Sequence, residues 1–124
     1  MWKRQRRVEE DVSKNVLENY RWLNELCIAK GEELVRFMVL GENDEAEQLR
    51  NRLVLELRML NERRDAVVCA IDKVEDEQLH LILTLRYLIG LSWKEIESRM
   101  GYSRRRIQRL HVRALRQFKN KYEK

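Results

Sequence analysis

Six arginines and a lysine fall between Arg104 and Lys119, and no acidic residue stands anywhere from Ser103 to Lys121. A guanidinium carries a rigid fork of donors that matches phosphate oxygens and the outer edge of guanine. The carboxamide of Gln108, in the middle of the run, suits the edge of adenine. This is the chemistry of a nucleic-acid surface. Chemistry of other kinds finds little support. The two histidines, His80 and His111, have no partner at metal or triad spacing, Gly-rich phosphate loops are absent, and Cys27 and Cys69 lack ligand spacing. No catalytic residue, metal ligand or cofactor is expected, and an enzyme is not the expected class.

The spacing of the run says how it is held. Ile107, Leu110, Ala114 and Phe118 fall on one side of a helix, and Arg105, Gln108, Arg109, Val112 and Arg116 on the other. A solvated surface helix would mix glutamates with its cations, and this one does not. Upstream, Ser92 and Glu95 form a capping box for a shorter helix with Trp93, Ile96 and Met100 on one face. Gly101 then stops that helix, Tyr102 supplies an apolar contact in the turn, and Ser103 caps the basic helix. Two amphipathic helices about a glycine turn, the second basic, make a helix-turn-helix that can lay a helix in a major groove. In that frame Arg105, Gln108 and Arg109 are expected to read bases. Ser103, Arg104, Arg106, Arg113, Arg116 and Lys119 are expected to hold phosphates. Trp93 is expected to close the core rather than stack on a base, and His111 to be structural.

The same residues resemble region four of bacterial sigma factors, the part that reads the promoter −35 element. The likeness is carried by Leu85-Arg86-Tyr87, Gly90-Leu91-Ser92, Glu95-Ile96, Met100-Gly101, Ser103-Arg104 and Arg113-Ala114-Leu115, and covers about residues 74–119. The chain is most similar to short sigma-like transcriptional regulators encoded by phages and prophages of Gram-positive bacteria. The resemblance implies double-stranded DNA as a partner and makes RNA polymerase a candidate second one. One position departs from the pattern. After the isoleucine of the first helix, where a small residue is usual, stands Glu97, expected to tilt outward toward Arg99 or a recognition-helix arginine.

The elements that must position this module follow from composition. Of 124 residues, 38% are charged and 44% hydrophobic, with no proline and 4 glycines, so an all-α protein is expected. Residues 1–73 hold 14 Lys and Arg against 15 Asp and Glu, whereas residues 74–124 hold 12 against 6. The basic excess is therefore confined to the second half. A domain boundary at 73/74 is expected, with a helical hairpin over 1–73 and the DNA-binding domain over 74–124. In the first half, Val8, Val12, Val16, Tyr20, Leu23 and Cys27 make a stripe that resumes at Leu34 and Met38, with Gly31 as a bend or a break. Gly41-Glu42-Asn43-Asp44 reads as a loop, with Asn43 or Asp44 as the next cap. Leu49, Leu53, Leu57, Leu60, Val67, Ile71 and Val74 then mark a second long helix, packed antiparallel on the first, in the manner of a short coiled coil. In that register the two cysteines lie roughly 18 Å apart at 1.5 Å per residue, so small buried reduced thiols are expected and no disulfide. A third helix from about Glu75 to Ile89 carries Leu79, Ile82, Leu83, Leu85 and Leu88 inward and leaves His80 on its surface.

Two helices alone bury little, so the hairpin needs a further surface, for which a second copy of the chain is the preferred choice. The basic cluster Lys3-Arg4-Gln5-Arg6-Arg7 is either an auxiliary phosphate contact or an exposed helix start. Apolar runs are too short to span a bilayer and the start lacks the apolar core of a signal peptide, so a cytoplasmic location is expected. The function expected is a sequence-specific DNA-binding transcriptional regulator. The alternatives are a helical interaction protein that modulates a host or phage regulator, and a phage DNA-packaging recognition subunit.

Overall fold

The computed structural model describes residues 14–39, 41 and 43–123, so the cluster Lys3–Arg7 and the first members of the N-terminal stripe lie outside the described residues. Every regular element among the described residues is a helix. Helical residues 14–18 lead through a turn at Asn19 into α1, Tyr20–Met38. Gly31 lies within α1 and does not break it. After the loop, Asn43 is the cap of α2, Asp44–Asp72: its Oδ1 accepts from Ala46 N at 2.7 Å. Asp44, Glu45 and Glu47 follow in the first turn, where the positive end of the helix dipole favours them.

By their contacts the residues fall into two compact units, one of Trp22–Asp65 and one uniting the chain before Trp22 with the chain from Ala66 onward. In the middle unit the two helices run antiparallel, as three polar links show. Asn24 Oδ1 accepts from Arg64 Nη1 at 3.5 Å, Lys30 Nζ lies 3.5 Å from Glu56 Oε2, and Phe37 O accepts from Arg50 Nη1 at 3.3 Å. Leu23, Cys27, Ala46 and Leu53 are buried in the seam. Met38 and Leu49, expected within it, are 69% and 42% exposed, because two helices cover one line of contact and leave its flanks in water. This register places Cys27 opposite about residue 60. Both thiols are free; Cys27 is buried as expected, but Cys69 is exposed.

The other unit has the larger core. Leu17, Val67, Ala70, Ile71 and Val74 join Leu79, Ile82, Leu83, Leu85, Tyr87, Ile96, Ile107, Leu110, Ala114 and Phe118 in one buried cluster. The end of α2 and the turn of helix around Leu17 are thus built into the same core as the helices that follow. Leu17 is fully buried although it lies off the Val16–Tyr20 stripe, whose members are only half-buried against the cluster. Helix α3, Glu77–Leu83, is capped by Asp76, whose Oδ1 accepts from Gln78 N at 3.0 Å and Leu79 N at 3.2 Å. The expected continuation to Ile89 is present but widened, since Thr84–Ile89 is a π-helical segment. It turns Tyr87 into the core, leaves Ile89 exposed, and ends at Gly90, whose φ of 90° is left-handed. Thr84 Oγ1 is buried there without a hydrogen-bond partner among the described residues. His80 is not a free surface side chain: it is half-buried, with Nδ1 at 3.0 Å from Ile71 O.

Candidate nucleic-acid interface

The two helices anticipated around Gly101 are formed. Helix α4, Trp93–Met100, starts at Ser92, whose Oγ accepts from Glu95 N at 3.2 Å. It ends at Gly101 with φ 70°, and the Gly101 N–H donates to Glu97 O at 2.9 Å. Ser103 then caps α5, Arg104–Tyr122, accepting from Arg106 N at 3.2 Å. Each cap satisfies an amide that a helix start leaves open. The turn of Gly101, Tyr102 and Ser103 thereby fixes where the second helix points.

Ile107, Leu110, Ala114 and Phe118 are buried, so the opposite face of α5 is committed to solvent. Arg105, Gln108, Arg109, Val112 and Arg116 are exposed on it. Arg105, Gln108 and Arg109 make no polar contact with any described residue, leaving their donors unengaged. Their companions are held. Arg104 Nε lies 4.0 Å from Glu97 Oε2, so Glu97 does tilt toward a recognition-helix arginine. The Arg106 guanidinium sits 3.9 Å from the centre of the Tyr102 ring, and Tyr102 Oη accepts from Gln78 Nε2 at 2.7 Å. Arg113 Nη2 lies 3.9 Å from Asp76 Oδ2. Ser103 keeps its hydroxyl proton available while its oxygen caps the helix. Arg116 is exposed and Lys119 half-buried further along α5.

Beneath one flank of α5 the aromatic side chains interlock. Tyr87 Oη and His111 Nε2 share a hydrogen bond of 2.6 Å, and Trp93 meets His111 edge-on with ring centres 4.5 Å apart. Arg86 lies 4.6 Å over the Trp93 ring and donates to Leu91 O at 3.0 Å. Trp93 therefore closes the core, as expected. Burial, with help from Lys14 and Arg86, pushes the His111 pKa down to about 4, so the ring is neutral at pH 7 and adds no charge toward a phosphate. Burial, reinforced by Glu18 and opposed by Arg86, pushes Tyr87 up to about 12. A cavity of about 240 Å³ opens along this flank, and Lys14 and Arg86 line it together with Arg104 and Gln108. Sequence reasoning had not placed those two cations beside the recognition helix. Lys14 comes from far away in the chain, and Arg86 is brought round by the π-helical turn.

Among the described residues no group of three or more His, Cys, Asp or Glu is placed to hold a metal ion, and no helix is long and apolar enough to cross a membrane. Neither a curated protein nor a solved structure matches the chain. Residues 70–120, which hold the end of α2, the π-helical turn and both helices about Gly101, match the family model of Sigma-70, region 4, a DNA-binding helix-turn-helix domain.

Proposed function

We propose that the chain is a sequence-specific DNA-binding transcriptional regulator that lays α5 in the major groove. One observation carries the reading. Arg105, Gln108 and Arg109 are exposed, unengaged and side by side on a helix whose other face is fixed by four buried side chains. Donors with no partner among the described residues give up only water there when they turn to base edges. Arg104, Arg106 and Arg113, each leaning on a neighbour, are oriented for phosphates, and Ser103, Arg116 and Lys119 extend that line. The protein works where the DNA is, in the cytoplasm, without catalysis. The match to region four supports RNA polymerase as a second partner, and the resemblance read from the sequence extends the proposal to a phage origin.

The middle unit supports a contact with another protein, and we assign it to a second copy of the chain. Ile28 and Val35 are exposed on one side of α1, and Val39 is exposed just beyond its end. The same residues favour, as the second reading, a helical interaction protein that modulates another regulator. Selection from a random duplex pool at physiological salt, where non-specific phosphate binding is suppressed, separates the two. An enriched motif is expected. Folded protein that enriches nothing would favour the interaction reading.

A further inference from the structure

Among the described residues Val112 is left out of the packing. It is 44% exposed, the one exposed aliphatic side chain of α5, and it takes no part in the core or in the apolar shell packed against it. A β-branched residue at an exposed helix position also lowers helix propensity relative to the arginines around it. Its place is nonetheless specific. It stands one turn beyond Gln108 and Arg109 and one turn before Arg116, and at about 100° per residue it lies within about 60° of Arg105, Gln108, Arg109 and Arg116. An isolated methyl-bearing side chain thus sits on the midline of a face otherwise made of donors.

In the major groove the base edges present one apolar group, the C5 methyl of thymine. We propose that Val112 packs on a thymine methyl and so makes thymine the preferred base at one position of the target. The inference rests on the proposed reading of DNA by α5. Four residues of helix rise about 6 Å, close to two base steps of 3.4 Å, so the thymine lies within one or two base pairs of the base held by Gln108. A polar side chain at Val112 would leave that methyl against a donor. A shorter one would leave it in water. The contact adds discrimination where the arginines, which favour guanine, supply none.

The experiment begins with the motif selected by the full chain. Each thymine of the enriched duplex is replaced in turn by deoxyuridine, which removes the methyl and no hydrogen-bonding group. Binding is measured for the natural chain and for Val112→Ala, an exposed change to a better helix former that leaves the core intact. One thymine is expected to lose about fourfold in affinity on demethylation, the equivalent of ~0.8 kcal/mol for one buried methyl-sized group. With Val112→Ala the same replacement is expected to change nothing. A motif in which no thymine methyl matters, or a methyl effect that persists undiminished in Val112→Ala, overturns the inference alone. Failure to enrich any motif overturns the reading of bases by α5, and the inference with it.

Discussion

Arg109 and Arg113 stand one turn apart on α5, and the proposed reading gives them different work. Arg109 is exposed and engages no donor with a described residue, whereas Arg113 lies 3.9 Å from Asp76. Arg109→Ala is expected to weaken binding to the selected site by about 1–3 kcal/mol and to relax one base preference. Arg113→Ala is expected to weaken selected and random duplexes alike and to reduce the slope of log K against log salt by about 1. Titrations on both duplexes at several salt concentrations check the pair, and equal loss for Arg109→Ala on both would make it a backbone contact. His111 gives a prediction of another kind. Its pKa is about 4 in the folded chain against 6.5 in the unfolded one, so between those values the unfolded chain binds the extra proton. The stability contributed by neutral His111 is full above pH 6.5 and is lost as pH falls toward 4, by up to about 1.4 kcal/mol per pH unit. Urea unfolding of the natural chain and of His111→Leu across that window reads the difference. The slope should be shallower in the variant.

The elements divide into those whose cause is local and those whose cause is not. Ser92, Asn43, Ser103 and Gly101 were legible in the sequence because a cap is a bond between residues two to four apart, which a short run of letters contains. Ser103→Ala removes the acceptor for Arg106 N and is expected to cost about 1 kcal/mol of stability, measured by thermal or urea unfolding. The face of α5 was legible for the same reason, since its period is a property of the helix alone. The π-helical segment was not. Nothing in Thr84–Ile89 departs from an ordinary apolar helix, and the wide turn appears only where Leu85 and Tyr87 must both enter a core supplied by other helices. Its imprint is the Thr84 hydroxyl, buried without a partner among the described residues. Thr84→Val keeps the shape and removes the orphaned group, so a gain of about 1 kcal/mol is expected by the same measurement. The burial of Leu17, and of Val67, Ala70 and Ile71 with the C-terminal helices, was hidden likewise, because a stripe shows which face is apolar and not which partner covers it. The flanking cations Lys14 and Arg86 escaped notice on the same ground.

For the molecule as a whole the question is how a single recognition helix gains enough specificity. On the proposed reading, Arg105, Gln108, Arg109 and Val112 would read only a few base pairs, and a genome offers so short a site many times over. Pairing two copies doubles the bases read and adds a spacing requirement, as in dimeric helix-turn-helix proteins. The middle unit has the means. Ile28 and Val35, seven residues apart, make an exposed apolar line on α1 that Met38 and Val39 extend at the helix end, and Val35 is 62% and Val39 81% exposed. These side chains do not belong to the C-terminal core, so changing them tests association without touching the DNA-reading helix. The natural chain is expected to sediment as a dimer at micromolar concentration. Ile28→Glu with Val35→Glu is expected to sediment as a monomer with unchanged helical content, because a pair of carboxylates on each copy would be desolvated against its mate. The double variant should still bind a duplex carrying one copy of the motif as well as the natural chain does. It should lose the steep gain in affinity that the natural chain shows when a second copy is added at the preferred spacing. A natural chain that stays monomeric at high concentration would reassign this face to a different protein. Specificity would then come from two proteins assembled on one promoter rather than from two copies of this one.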